Sequence, residues 1–129
     1  MTIGSALRAS GSGMHAERMR LDVISANIAN ANSIQTPEQD AYRRKLVILE
    51  ATDNGVRIES VVEDESPLRS VSEPDNPMAD ARGVVYYSNV NPVMEMVNMM
   101  SATRSYEANI AAFNSTKSML QSALNIGRV

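Results

Sequence analysis

Few side chains in this sequence are equipped for chemistry, and they are poorly placed for it. His15 is the only histidine. A histidine acting as general base needs a nucleophile and an orienting partner. None is suggested near it, so His15 reads as a helix-surface residue. Val93 to Met100 holds four methionines. Thioethers bind soft Cu(I), but Met96 with Met99 or Met100 falls at helical core spacing. Packing between subunits, which suits adaptable methionine, is the stronger reading. Tyr42-Arg43-Arg44-Lys45 is a short basic run in a chain of net charge -3. That balance gives no electrostatic reason for a nucleic-acid or anionic-membrane partner, and the run is expected to be a solvated, edge-protecting strand face. Glu63-Asp64-Glu65 reads as a solvated turn and not as a metal site. Asn114-Ser115-Thr116 matches a glycosylation sequon, but inside a predicted helix it is a chance match. The absence of cysteine excludes disulfides, zinc–thiolate sites and thiol catalysis. No nucleophile–base pair, phosphate loop or metal-ligand spacing stands out, so the expectation is no enzyme, cofactor, metal or small-molecule substrate.

The elements that carry these residues divide the 129 positions into three parts. Residues 1–32 form an N-terminal helix, in which Leu7, Met14, Leu21 and Ile28 recur every seven residues. Ile3, Ile24 and Ala31 fall on the neighbouring seam position. Glu17/Arg20 and Arg18/Asp22 are spaced to pair on its surface. Gly4, Gly11 and Gly13 weaken it, each by about 1 kcal/mol relative to alanine. Asn30 or Asn32 is expected to end it, since asparagine tolerates the left-handed conformation.

Residues 91–129 form the C-terminal helix. Asn91 is a good N-cap, Pro92 a good first residue, and Glu95 favours the positive end of the helix dipole. Met99, Tyr106, Phe113 and Leu120 repeat every seven residues. Met96, Thr103, Ile110, Lys117 and Leu124 form the adjoining row, and Gly127 fits the stop.

Residues 33–90 form a small β-rich middle. Tyr42 to Glu50 reads as a strand, and Thr52-Asp53-Asn54-Gly55 as a hairpin turn. The return strand, Val56 to Glu63, places Val56, Ile58, Ser60 and Val62 on one face. Pro67, Pro74 and Pro77 mark an irregular loop, and Val84 to Tyr87 a third short strand. The fold class is therefore α+β: long terminal helices and a small antiparallel β middle.

Packing decides what such a chain does with its apolar surface. Hydrophobic residues make up 43%, but aromatics only 4%, with no tryptophan and nine methionines. Large aromatics normally supply much of a small core. Two helices paired only with each other bury one seam each, and helical arms without tertiary contacts are weak. Neighbouring copies are expected to complete the core, in an intermolecular coiled-coil layer. Asparagines at 27, 30, 98, 109, 114 and 125 lie inside the predicted helices, where such residues set register in packed helical interfaces. The competing reading is a soluble helical adaptor that forms a small closed oligomer. No apolar run approaches the roughly 18 residues of a membrane span, and Met1 to Ala16 lacks the features of a secretory signal.

Leu21-Asp22-Val23-Ile24-Ser25-Ala26-Asn27-Ile28-Ala29-Asn30-Ala31-Asn32 resembles the N-terminal signature of the flagellar axial family, which includes rod and hook proteins. Glu95-Met96-Val97 followed by Arg104-Ser105-Tyr106-Glu107-Ala108-Asn109 resembles that family's terminal helix. The short middle, the stretch from Ala79-Asp80 to Asn89-Val90-Asn91 and the finish Ala123-Leu124-Asn125-Ile126-Gly127-Arg128 resemble its proximal-rod type. Asn76-Pro77-Met78-Ala79-Asp80 departs from the His-Pro-Asp-Ala-Asp stretch that is common in the family.

The resemblance implies a structural, non-enzymatic subunit of the basal-body rod that crosses the periplasm, transmits torque and encloses the export channel. It implies partners among other copies, other rod proteins and the flagellar type III export apparatus, with export that needs no cleaved signal peptide. It adds Asn27, Asn30, Glu107 and Asn109 as interface hydrogen-bonding groups. They join Leu7, Met14, Leu21, Ile24 and Ile28 on the first helix as expected assembly-interface residues. On the second helix the set is Met96, Met99, Met100, Tyr106, Ile110, Phe113, Leu120 and Leu124.

Overall fold

The first helix starts on a reciprocal cap. The Ser5 N–H donates to Thr2 Oγ1 (3.0 Å) and the Thr2 N–H to Ser5 Oγ (2.8 Å), satisfying two donors that a helix start leaves free. From there α1 (Ile3–Ala29) runs unbroken through all three of its glycines. The computed structural model describes residues 2–128; Met1 and Val129, the outermost positions of the two expected terminal segments, lie outside the described residues. The other elements are β1 (Lys45–Thr52), β2 (Gly55–Glu63), β3 (Arg69–Ser72), β4 (Val84–Tyr87) and α2 (Pro92–Ile126). The α+β class holds.

Both helix ends correct the expected stop mechanism. Asn30 does cap α1, but at φ -106, and no residue other than glycine has positive φ among the described residues. Its side-chain amide instead donates to the Ala26 carbonyl (2.8 Å), a local bond that removes the need for a left-handed turn. Gly127 likewise ends α2 in the right-handed region, at φ -73. At the other end of α2, Asn91 Oδ1 accepts from the Val93 and Met94 N–H groups, with Pro92 at the first position as expected. On the α1 surface Glu17 and Arg20 pair at 2.8 Å. The expected Arg18–Asp22 pair is not formed; both residues are exposed, where such a pair gains little.

The helices pack antiparallel. Asn27 meets Glu95, and Gly13, fourteen residues earlier on α1, faces Asn109, fourteen residues later on α2. Small residues, Ala16 and Ala102, are fully buried. At 35 residues α2 is about 52 Å long against about 40 Å for the 27 residues of α1. The last turns of α2 therefore run past the start of α1, and Leu124 and Ile126 stand 64% and 82% exposed.

The hairpin β1–β2 lies against α1. Its tip is fixed by Gly55, at φ +137, where a Cβ would overlap the Ser12 hydroxyl and come within 3.0 Å of Ala9 Cα. The Ser12 hydroxyl donates to the Ala9 carbonyl (2.8 Å) and accepts from the Val56 N–H (3.1 Å). Two features differ from expectation. The first strand begins at Lys45 and not Tyr42, because residues 42–44 are engaged elsewhere. A bulge between Ile48 and Leu49, opposite Ser60 and Ile58, breaks the ladder. Val56, Ile58 and Ser60 are half-buried as expected, but beyond the bulge Val62 is exposed alongside Val61.

A strand also appears where an irregular loop was expected. Arg69–Ser72 pairs antiparallel with β4. It carries one apolar residue, Val71, too little for a periodic signal. β4 holds the fully buried Val85, and its second edge is covered by the Ile34–Tyr87 bridge, Gln35 N–H to Tyr86 O (2.8 Å) and Ser88 N–H to Ser33 O (2.9 Å). Tyr87 donates its hydroxyl to Glu73 and stacks under Arg69 at 4.7 Å.

The three glycines near the hairpin tip separate by what surrounds them. A Cβ at Gly11 meets nothing within 4 Å, whereas at Gly13 it would lie 2.7 Å from the Asn109 side chain. Gly11→Ala is expected to raise stability by up to about 1 kcal/mol. Gly13→Ala should gain less, because Asn109 must leave its bond to the Ser105 carbonyl. Gly55→Ala should cost more than about 1 kcal/mol. Urea unfolding followed by circular dichroism ranks the three; an equal gain at Gly11 and Gly13 contradicts the close approach.

Candidate functional site

The polar centre of the chain is assembled from five separate segments. Glu95, in the first turn of α2, is 1% exposed. Its Oε2 accepts from Asn27 Nδ2 (3.2 Å), and its Oε1 from Arg44 Nε. Asn27, in the last turn of α1, is wholly buried and uses every group it has. Its amide also donates to the Lys45 carbonyl (2.9 Å), and its Oδ1 accepts from the Tyr42 hydroxyl (2.8 Å) and the Lys45 N–H (2.9 Å). Arg44 reaches Asp64 at 3.3 Å as well. Asn89 closes the cluster: its Oδ1 accepts from the Arg44 N–H (2.7 Å), and its amide donates to the Asp64 and Ser66 carbonyls, both at 3.0 Å. Among the described residues no buried side-chain nitrogen or oxygen lacks a partner.

The electrostatics follow from those contacts. Burial disfavours the Arg44 charge, but the bonds to Glu95 and then Asp64 outweigh it and hold its pKa above the ordinary value. Burial, followed by the charges of Glu95 and Glu63, pushes the Tyr42 hydroxyl up, so it stays a donor to Asn27. The Ser66 hydroxyl and N–H, and then Arg44, hold Asp64 below the usual carboxyl range. A buried ion pair need not add net stability, but removing one partner strands the other. The cluster therefore works as a clamp and has no reactive group to spare. Tyr42 and Arg44 correct the expectation of a solvated strand face. Asp64 corrects that of a solvated turn in part. No local pattern announced these roles, because the helix dipole alone accounts for Glu95 at a helix start and its burial depends on distant contacts.

The expected interface residues separate into three groups. Ile24 is buried, and Leu7, Met14, Leu21 and Ile28 are half-buried on α1. Met99, Tyr106, Asn109, Phe113 and Leu120 are half-buried on the α2 side toward α1. Asn27 is committed inside the chain, and Asn30 is exposed but caps its own helix. The exposed group is Met96, Met100, Glu107, Ile110 and Leu124. Two of these stand in a stripe that the heptad rows did not identify: Val93, Met96, Val97 and Met100, with 68%, 54%, 53% and 64% exposure. Spacings of three, four and seven place them on one helix face, opposite the face that Glu95 and Ala102 bury. Among the described residues no helix is long and apolar enough to cross a membrane.

The total accessible area reflects how extended the chain is. It is 8723 Å² for a 14.0 kDa chain. A compact monomer of that mass exposes about 6,700 Å². The excess, about 2,000 Å², is larger than the roughly 800 Å² that one partner buries in a standard interface.

Residues 7–33 match the family described as flagella basal body rod protein, and residues 81–126 match the family described as flagellar basal body rod FlgEFG protein C-terminal. Similar curated proteins include the flagellar basal-body rod protein FlgC of Salmonella typhimurium, 43% identical over 92% of this chain and 93% of the relative. The FlgC protein of Bacillus subtilis is 38% identical over 99% of this chain and 100% of its own length. That of Borreliella burgdorferi is 40% identical over 98% of each. The two matched segments carry the two residues, Asn27 and Glu95, that meet in the clamp.

Truncating members of the clamp should give graded losses. Glu95→Ala strands Arg44 and one Asn27 donor, and is expected to cost about 3 kcal/mol. Tyr42→Phe removes one hydrogen bond, and is expected to cost about 1 kcal/mol. Denaturant midpoints at unchanged slope test both; a neutral Glu95→Ala would show that the clamp is dispensable.

Proposed function

The chain belongs to the FlgC type of flagellar basal-body rod proteins, and from that premise we propose that it builds the proximal part of the rod. It is a structural subunit of the flagellar basal body, not an enzyme, and it assembles with other rod components. In the proposed arrangement both helices join those of neighbouring copies and other rod proteins in a helical layer around the export channel. The β-rich middle packs outside that layer. Residues 1–32 and 91–129 are the assembling parts and 33–90 the outer part. The rod crosses the periplasm and transmits torque; its subunits are exported to it through the flagellar type III apparatus without a cleaved signal peptide. Nucleic acid and small-molecule substrates have no place in this scheme.

One observation carries the assembly role: the Val93–Met100 stripe on the helix face away from α1, in a chain with far more open surface than its mass requires. Burying such a stripe is favourable by about 25 cal/mol per Å² of apolar area. Met96, Met100, Ile110 and Leu124 are the proposed docking residues, with Glu107 beside them. Leu7, Met14, Leu21, Ile24, Ile28, Met99, Tyr106, Asn109, Phe113 and Leu120 first hold the helical hairpin together and offer their open edges to neighbours.

The double variant Val97→Glu with Met100→Glu tests this in cells lacking the original gene. The purified chain should keep its circular dichroism spectrum and unfolding midpoint, because neither side chain is buried in the monomer. Rods and swimming should be lost. Normal swimming with the variant present in isolated basal bodies would contradict the proposed docking face.

A further inference from the structure

We propose that Asn54, at the tip of the β1–β2 hairpin, is a site of spontaneous modification: deamidation through a cyclic imide formed with Gly55. The Gly55 backbone nitrogen bonds to the Asn54 Cγ, and the side-chain amide leaves as ammonia, taking up the proton that the backbone nitrogen loses. Water then opens the imide at either carbonyl. One opening gives aspartate. The other gives isoaspartate, in which the main chain runs through Cβ and Cγ and is one methylene longer. Water is the only co-reactant.

Three observations single out this position. Asn54 is the only asparagine followed by glycine, so no Cβ shields the attacking nitrogen. It is exposed, and among the described residues its side chain makes no hydrogen bond. Asn27, Asn30, Asn76, Asn89, Asn91 and Asn109 all use theirs. Asn114 and Asn125, also exposed, lie within α2, where helical backbone bonds hold the following nitrogen away.

The position also gives the product a consequence. Thr52 pairs with Gly55 across a two-residue loop, and Gly55 is pressed against Ser12 and Ala9 with no room for a Cβ. An extra backbone atom immediately before it lengthens the loop at its tightest point. The Val56 N–H bond to Ser12 Oγ, which ties the hairpin to α1, is the first contact to go. Isoaspartate at residue 54 therefore releases the hairpin tip from the N-terminal helix.

The full chain, incubated folded at mildly alkaline pH and digested with trypsin, provides the test. The peptide Leu46–Arg57 carries Asn54 as its only side-chain amide. That peptide should turn acidic and accept methyl groups from an isoaspartyl methyltransferase, ahead of the peptide carrying Asn32. The modified chain should lose amide-exchange protection at Val56. Asn54→Ser should abolish the labelling. Asn54→Asp, which adds the charge without the backbone atom, should leave Val56 protected. The proposal is overturned if the peptide converts in urea but not in the folded chain, if Asn32 converts first, or if Asn54→Asp loses Val56 protection as fully as the isoaspartyl form.

Discussion

A carboxylate buried at the start of a helix is the constraint on which the rest of this structure depends. Glu95 has almost no contact with water, and an unpaired charge there would be prohibitive. Its two partners come from elsewhere: Asn27 from the last turn of α1 and Arg44 from the residue before β1. Arg44 in turn takes Asp64, just after β2, and Asn89, two residues after β4. Each partner sits at the end of an element, so one cluster fixes where α1 and β2 finish and where β1 and α2 begin. The free ends of both helices lie far from it; Ile126 is 31 residues along α2, roughly 47 Å away.

That placement explains how a chain with so few aromatics holds together and yet looks unfinished. The fully buried apolar residues are mostly alanines and valines, which allow close backbone approach but little core volume. Larger apolar side chains sit at the helix seam, half-open, on the outer stripe and far end of α2, fully open, and on the exposed face of the hairpin. Methionine supplies half of that stripe, as suits a surface that must fit against a neighbour and not a fixed core. The clamp orders the hairpin of helices; partners are left to supply the rest of its burial. The two segments that match rod-protein families cover most of α1 and, together with β4 before it, all of α2.

Much of the fold was legible because its signals are local. Thr2 was not singled out, but Asn91, Pro92 and the seven-residue rows placed both helices to within a few residues. Asn54-Gly55 located the hairpin, although only Gly55 adopts positive φ. The failures share one cause, dependence on contacts distant in sequence. β3 exists because β4 offers an edge, not because Arg69-Ser70-Val71-Ser72 favours a strand. The bulge at Ile48/Leu49 turned Val62 outward without altering the alternation visible in the sequence. Asn27 looked like an interface group and Glu95 like a first-turn residue favoured by the helix dipole, and only the antiparallel register of the helices brings them together. Likewise Met96 and Met100 read as packing residues, while the outward face they share with Val93 and Val97 became clear only once Glu95 defined the buried side of α2.

The most direct measurement is a double-mutant cycle on Asn27→Ala and Glu95→Ala, following urea unfolding of the whole chain. If these two residues form the clamp, the second substitution should cost far less once the first is present, with a coupling of at least about 1 kcal/mol. Losses that add to within about 0.5 kcal/mol would mean that the two side chains act independently, and that the helices are held by their apolar seam alone.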